Sequence, residues 1–137
     1  KTKMGRVFFN TRKHIQSLTG AYTVLASDSN TTFILNAAAG AAITLPSAAD
    51  LGEGWHARFL VGTLFATTDW TIVATAAIIK GGVNELTDTV GPGTTGATNL
   101  HLELGVDVLG DYYDLMCDGT TIYLSGQSNG DGAITFS

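Results

Sequence analysis

The chain has 137 residues, 45% of them hydrophobic and only 14% charged, with a net charge of −5. That length suits one domain, which buries roughly two-thirds of the surface its unfolded chain exposes, and the charged share is well below the roughly 25% of an average globular domain. One cysteine, Cys117, excludes an intramolecular disulfide and a cysteine-based zinc site within the chain, and no run of 18 apolar residues is present to form a membrane-spanning helix.

The chain opens with Lys1, Lys3, Arg6, Arg12 and Lys13, and no acid lies among its first 13 residues. Arg58 and Lys80 are the other basic residues, and all 12 acids follow the opening segment. A basic arm on an acidic body is expected to lie against an acidic surface, its own or a neighbour's. The acidic body would repel phosphate, and the arm lacks the repeated aromatic residues that stack on bases, so nucleic-acid binding is not expected. Nor do the opening residues show the order of a secretory signal. Residues 1–17 read as a basic N-terminal arm, and 18–137 as a single β-sandwich domain.

Short β-rich runs separated by turn residues recur along the chain, the pattern of a sandwich or barrel. Strands are expected at Arg6–Phe9, Ala21–Ala26, Thr31–Asn36 and Ala42–Leu45. The segment Pro46–Gly52 is the best helical candidate, a single turn capped by Ser47 and ended by Gly52. Further strands are expected at His56–Val61, Trp70–Ala74 and Ala77–Lys80, and Gly91–Gly96 reads as a flexible loop. In Leu100–Leu104, strict alternation points three leucines inward and leaves His101 and Glu103 outside. The strands Asp111–Cys117 and Thr121–Ser125 flank Asp118-Gly119, a pair that suits a type I′ hairpin turn. A loop over Ser125–Gly132 and a strand at Ala133–Phe136 close the chain. No repeat of fixed period stands out. The expected class is all-β, an antiparallel sandwich, jelly roll or barrel with at most one short helix near 47–51.

Little in the sequence points to chemistry. Gly91–Gly96 lacks the lysine and the helix of a phosphate-binding loop. His14, His56 and His101 are too scattered to suggest a zinc site, and no Gly-x-Ser-x-Gly elbow is present. Asp107, Asp111, Asp114 and Asp118 lack the spacing of a calcium loop. On a strand, Asp111 and Asp114 fall on opposite faces, which does not suit paired acid catalysis. Turn chemistry and solvation account for these aspartates, and Cys117, beside Leu115 and Met116, reads as a buried small hydrophobe. Trp55, Phe59, Phe65, Trp70, Tyr112, Tyr113 and Tyr123 read as packing anchors, some of them at an interface.

Two stretches carry a resemblance. One joins Ile43-Thr44-Leu45-Pro46-Ser47-Ala48-Ala49-Asp50 to Gly54-Trp55-His56-Ala57-Arg58-Phe59-Leu60-Val61. The other runs from Gly110-Asp111-Tyr112 through Cys117-Asp118-Gly119-Thr120 to Tyr123-Leu124-Ser125-Gly126. Together, over residues 18–126, they resemble bacteriophage capsid decoration (cement) proteins and related small β-domains of phage tail fibres. Tyr123 departs from that pattern, which often has Trp there. The resemblance implies a non-enzymatic structural protein on the outer surface of a phage head. It would bind the major capsid protein and itself, as a homotrimer, with no cofactor, metal, nucleic acid, membrane or small-molecule substrate. A receptor-binding or structural domain of a tail fibre or spike is the alternative. The sequence shows no fibre repeat, coiled-coil heptad or β-helix ladder, which puts the compact decoration protein first. On this reading the arm contacts the capsid or a neighbouring copy through Lys1, Lys3, Arg6, Phe8, Phe9, Arg12 and Lys13, adding a strand there through Arg6–Phe9.

Overall fold

The structure, a computed structural model, describes residues 12–87 and 90–137. Its strands, in chain order, are β1 (His14–Leu18), β2 (Tyr22–Thr23), β3 (Thr31–Leu35), β4 (Ala42–Thr44), β5 (Glu53–Val61), β6 (Trp70–Val73), β7 (Ile79–Gly82), β8 (Asn84–Glu85), β9 (Gly93–Ala97), β10 (Asn99–Leu102), β11 (Tyr112–Asp118), β12 (Ile122–Ser128) and β13 (Ile134–Phe136). A 3₁₀ turn at Ala26–Asp28 and one helical turn, α1 (Ala48–Leu51), complete the described elements. The chain is all-β. In α1 the Ser47 side chain accepts a hydrogen bond from the Asp50 backbone N–H, and Gly52 follows the last turn, as the sequence predicts.

Two sheets share one core, the layering of a sandwich. The larger runs β1-β3-β5-β11-β12-β7-β9, with β8 also paired to β12, and the smaller runs β13-β10-β6-β4-β2. Period-2 alternation decides which side chains enter. From β5, Trp55, Ala57, Phe59 and Val61 are buried; from β6 and β10, Trp70, Ile72, Leu100 and Leu102. Phe33 stacks on Phe59 with ring centroids 5.2 Å apart. The Trp70 indole N–H donates to the Ala37 carbonyl at 3.1 Å, so this buried polar atom is satisfied.

The sheets are mixed rather than antiparallel. The chain crosses between them at each step from β1 to β6, so successive strands within either sheet run the same way. β1 pairs parallel to β3, β3 to β5, β2 to β4 and β4 to β6. These residues wind as a short parallel coil of β-rungs, a ladder the sequence did not reveal. The steps are unequal: His14 lies opposite Thr31 and Thr31 opposite Ala57, while Tyr22 faces Ile43 and Ile43 faces Ile72. Rungs joined by loops of different length leave no fixed period to detect.

Other expectations need correction. Strand β1 carries the sheet four residues into the segment read as the arm. Of the strand expected at Ala21–Ala26, Tyr22–Thr23 is strand and the Val24 N–H still donates to the Thr44 carbonyl, before Asp28 accepts from the Leu25 N–H and turns the chain. Gly91–Gly96 is largely strand: Gly93–Ala97 pairs antiparallel with β7 at the sheet edge. Backbone bonding holds this edge with little side-chain burial, so apolar alternation gives no signal for it. At the hairpin, only Gly119 of the two central residues has positive φ, whereas a type I′ turn needs both. The Asp118 carboxylate accepts from the Thr120 and Thr121 N–H groups and shapes the turn itself. Leu104 lies past the end of β10 and is exposed.

The β7–β12 pairing depends on Gly81, whose φ is 123° and where a Cβ would stand 2.1 Å from the Leu124 carbonyl oxygen. Gly81→Ala is expected to cost about 2 kcal/mol or more of unfolding free energy, measured by urea denaturation, through backbone strain and a displaced strand.

Candidate functional site

Because the inward residues of β5 and β11 fill the core, their alternates point away from it, and no described element covers that side of the larger sheet. Register sets two rows across it. His56, Met116, Tyr123 and Lys80 lie opposite one another on β5, β11, β12 and β7. Beside them, Thr32, Arg58, Asp114 and Ser125 cross β3, β5, β11 and β12. Large apolar groups stay in water here: Met116 is 53% exposed, Tyr123 42% and Ile15 on the edge strand 68%. The two rows apart from Lys80, with Lys13 and Asn30 at the rim, line a groove of about 370 Å³.

The centre of the face is held in a set geometry. Arg58 Nε donates to Asp114 Oδ1 at 2.7 Å, and Nη2 donates to Oδ2 at 2.9 Å. The guanidinium lies 4.2 Å from the centroid of the Tyr112 ring. Both ionic side chains are 35% exposed, so the pair is worth only about 0.2–1 kcal/mol of stability. Its bidentate, stacked geometry restricts the guanidinium's orientation. The hydrogen bond from Arg58 to Asp114 raises the guanidinium pKa further, so its charge is permanent. At the rim Asn30 adopts φ 66°, the one positive φ among the described non-glycine residues. Its backbone N–H donates to the His56 carbonyl at 2.7 Å, and its side-chain oxygen lies 3.3 Å from His56 Nε2. A strained residue pinned beside a groove is a recurring feature of binding sites.

The arm residues proposed as contacts are Lys1, Lys3, Arg6, Phe8, Phe9, Arg12 and Lys13. The first five, with the strand expected at Arg6–Phe9, lie outside the described residues. Arg12 and Lys13 are exposed, and Lys13 lines the groove. The sequence reading missed Asn30, His56, Arg58, Asp114, Met116 and Tyr123 as one group. The strand over His56–Val61 was legible in the sequence, but the partners of β5 were not.

Elsewhere the acids serve structure. Asp111 is buried, accepting from Asn129 N–H at 3.0 Å, Asn129 Nδ2 at 2.8 Å and Val108 N–H at 2.9 Å. Asp107 is also buried and accepts from the Tyr113 hydroxyl at 3.0 Å. Turn chemistry thus holds for Asp111, whereas Asp107 serves a side-chain contact, and solvation holds for neither. Burial, against the Tyr113 hydrogen bond and with the negative charges of Asp111, Asp69 and Glu103 adding to it, raises the Asp107 carboxyl pKa to about 7. Burial and the same aspartate push the Tyr113 phenol up as well. At the exposed hairpin, the Thr121 and Thr120 N–H groups lower the Asp118 pKa to about 2. Cys117 is buried, its thiol directed to the Ala48 carbonyl. His101 bonds the Ser137 hydroxyl, far from His56 in the fold's other sheet. Among the described residues no group of three or more His, Cys, Asp or Glu could hold a metal ion.

No protein-family model, curated protein or solved structure matches the chain. The outer face of the larger sheet is the feature whose composition suits binding. It combines Arg, Met and Tyr, residues enriched at protein interfaces, in a region of exposed apolar surface of the kind that marks interaction sites.

The folded state holds a proton on Asp107 that the unfolded chain releases near pH 4. That stabilisation is complete below about pH 4, declines as the pH rises and is gone above about pH 7. Asp107→Asn, which mimics the neutral form, is expected to gain stability relative to wild type across that window. The gain should approach 1.4 kcal/mol per pH unit, read by urea denaturation at a series of pH values. Parallel curves for the two proteins would refute it.

Proposed function

We propose that the protein is a structural component of a phage particle, a decoration protein that docks on the outside of the head through the outer face of its larger sheet. The observation that carries this reading is that uncovered face, with Met116, Tyr123 and Ile15 in water around a preset Arg58–Asp114 pair. A protein that clamps neighbouring subunits works by area and complementarity. Its surface needs apolar anchors near the centre of the contact, where binding energy concentrates. The resemblance over residues 18–126 supplies the particle, the major capsid protein as partner and the trimeric state. The low charge content suits a subunit covered on several sides.

The parallel coil from β1 to β6 favours a second reading, a domain of a tail fibre or spike. A stack of β-rungs leaves an edge strand, β1 among the described strands, to which a further rung or a neighbouring chain can add.

Met116→Asp and Tyr123→Asp change exposed positions, so each variant should keep the wild-type far-UV circular dichroism. Each is expected to weaken co-sedimentation with undecorated heads by about tenfold or more, the cost of burying an unpaired charge at an interface. Wild-type binding by both variants would refute docking through this face. Light scattering at two protein concentrations checks the trimer: a mass of three 14.3 kDa chains at both supports it, and a monomer at both weakens the fibre reading, whose trimers are permanent.

A further inference from the structure

We infer that the surface this face takes is acidic, and that the protein bearing it is a different chain from its own. The inference rests on docking through the outer face of the larger sheet and names the chemistry of the partner.

It starts from where the folded chain puts its few basic groups. Arg58 and Lys80 are the only basic residues after position 13. They stand on β5 and β7, far apart in sequence, yet both belong to the two rows of the outer face. Lys13 lines the same groove. The rows contain one acid, Asp114, and Arg58 already engages both its oxygens. Arg58 does so through Nε and Nη2, which leaves Nη1 without a partner among the described residues. Asp118 sits near the Tyr123 hydroxyl at one end of the face, opposite Glu53, where the turn's N–H groups hold it in its charged form. A body that is acidic as a whole therefore gathers Arg58, Lys80 and Lys13 on one face, around two apolar anchors.

A second copy could in principle supply the acidic surface. Three of this chain's own acids, Glu85, Asp107 and Asp111, are buried, and the first accepts from the Gly132 N–H. They offer nothing to a neighbour. A two-fold contact of this face with the same face of a second copy would set Lys13, Lys80 and Arg58 against their own kind, which repels. The arrangement fits another protein: its carboxylates meet Lys13, Lys80 and Arg58 Nη1, and its apolar side chains settle on Met116 and Tyr123.

The probe is a fluorescein-labelled peptide of alternating Glu and Leu, with an alternating Lys-Leu peptide as control, followed by anisotropy. Wild type is expected to bind the Glu-Leu peptide and to lose about tenfold or more of that affinity between about 50 and 500 mM salt, since exposed charges are screened. Lys13→Glu with Lys80→Glu should abolish the preference over the Lys-Leu peptide. Met116→Asp should weaken binding too, since it removes an anchor and places a carboxylate on the face. Equal binding of both peptides, or an unchanged preference in the double reversal, overturns the inference. So does a salt-sensitive oligomer of the wild type, seen by sedimentation and absent from the double reversal, because the occupant is then a second copy. Docking itself is judged separately by head binding. If Met116→Asp loses the heads while the peptides show no charge preference, docking through the face stands and the acidic partner falls. If heads bind the Met116→Asp and Tyr123→Asp variants as well as wild type, the docking reading falls whatever the peptides show.

Discussion

Strand β5 sits between β3 and β11, and its nine residues serve two environments at once. On one side Trp55, Ala57, Phe59 and Val61 join the two sheets into one core. On the other His56, Arg58 and Leu60 face away from it. Strict alternation leaves no freedom between these roles, since a slip of one residue would carry arginine into the core and phenylalanine into water. The pairing of β5 with β11 then brings Asp114 opposite Arg58 and Met116 opposite His56. The candidate site is thus a consequence of core packing: what fills the inside fixes what stands outside.

The face is organised without a large energetic return. A half-exposed ion pair adds little to stability, and exposed methionine and tyrosine side chains add less. Their arrangement is costly to keep in water, with apolar area unburied and Asn30 held at an unfavourable φ. Such features persist where something else compensates them, and a bound partner is the compensation proposed for this protein. The buried acids in the loop between β10 and β11 follow a different logic. Asp111 ties Val108 and Asn129 together, and Asp107 meets Tyr113 inside the protein, where neutrality is cheaper than charge.

Elements whose side chains alternate against a core were legible in the sequence. β3, β5, β10 and β11 appear close to where the apolar pattern put them, and Ser47 and Gly52 marked the single helical turn. The edge strand β9 was not legible, because glycine and threonine paired by backbone alone carry no periodic signal. The coil of parallel rungs escaped for a related reason. Its steps differ in length, and parallel pairing is a relation between distant segments that local composition does not encode. Of the site, only the strand that carries His56 and Arg58 was visible in the sequence. That Asp114, Tyr112 and Met116 would be their neighbours required the register.

By itself, the sequence determined the all-β class, the burial of Trp55, Phe59, Phe65, Trp70, Tyr113 and Cys117, and the separation of a basic opening from an acidic remainder. These follow from composition and from short-range alternation, which depend on each residue and its near neighbours. The tertiary structure alone decided that the sheets are mixed, that Arg58 and Lys80 share one face with Lys13, and that Asp107 and Asp111 are withdrawn from water. Each of these depends on which distant strands lie side by side, and that choice is made by the joint packing of both sheets around one core.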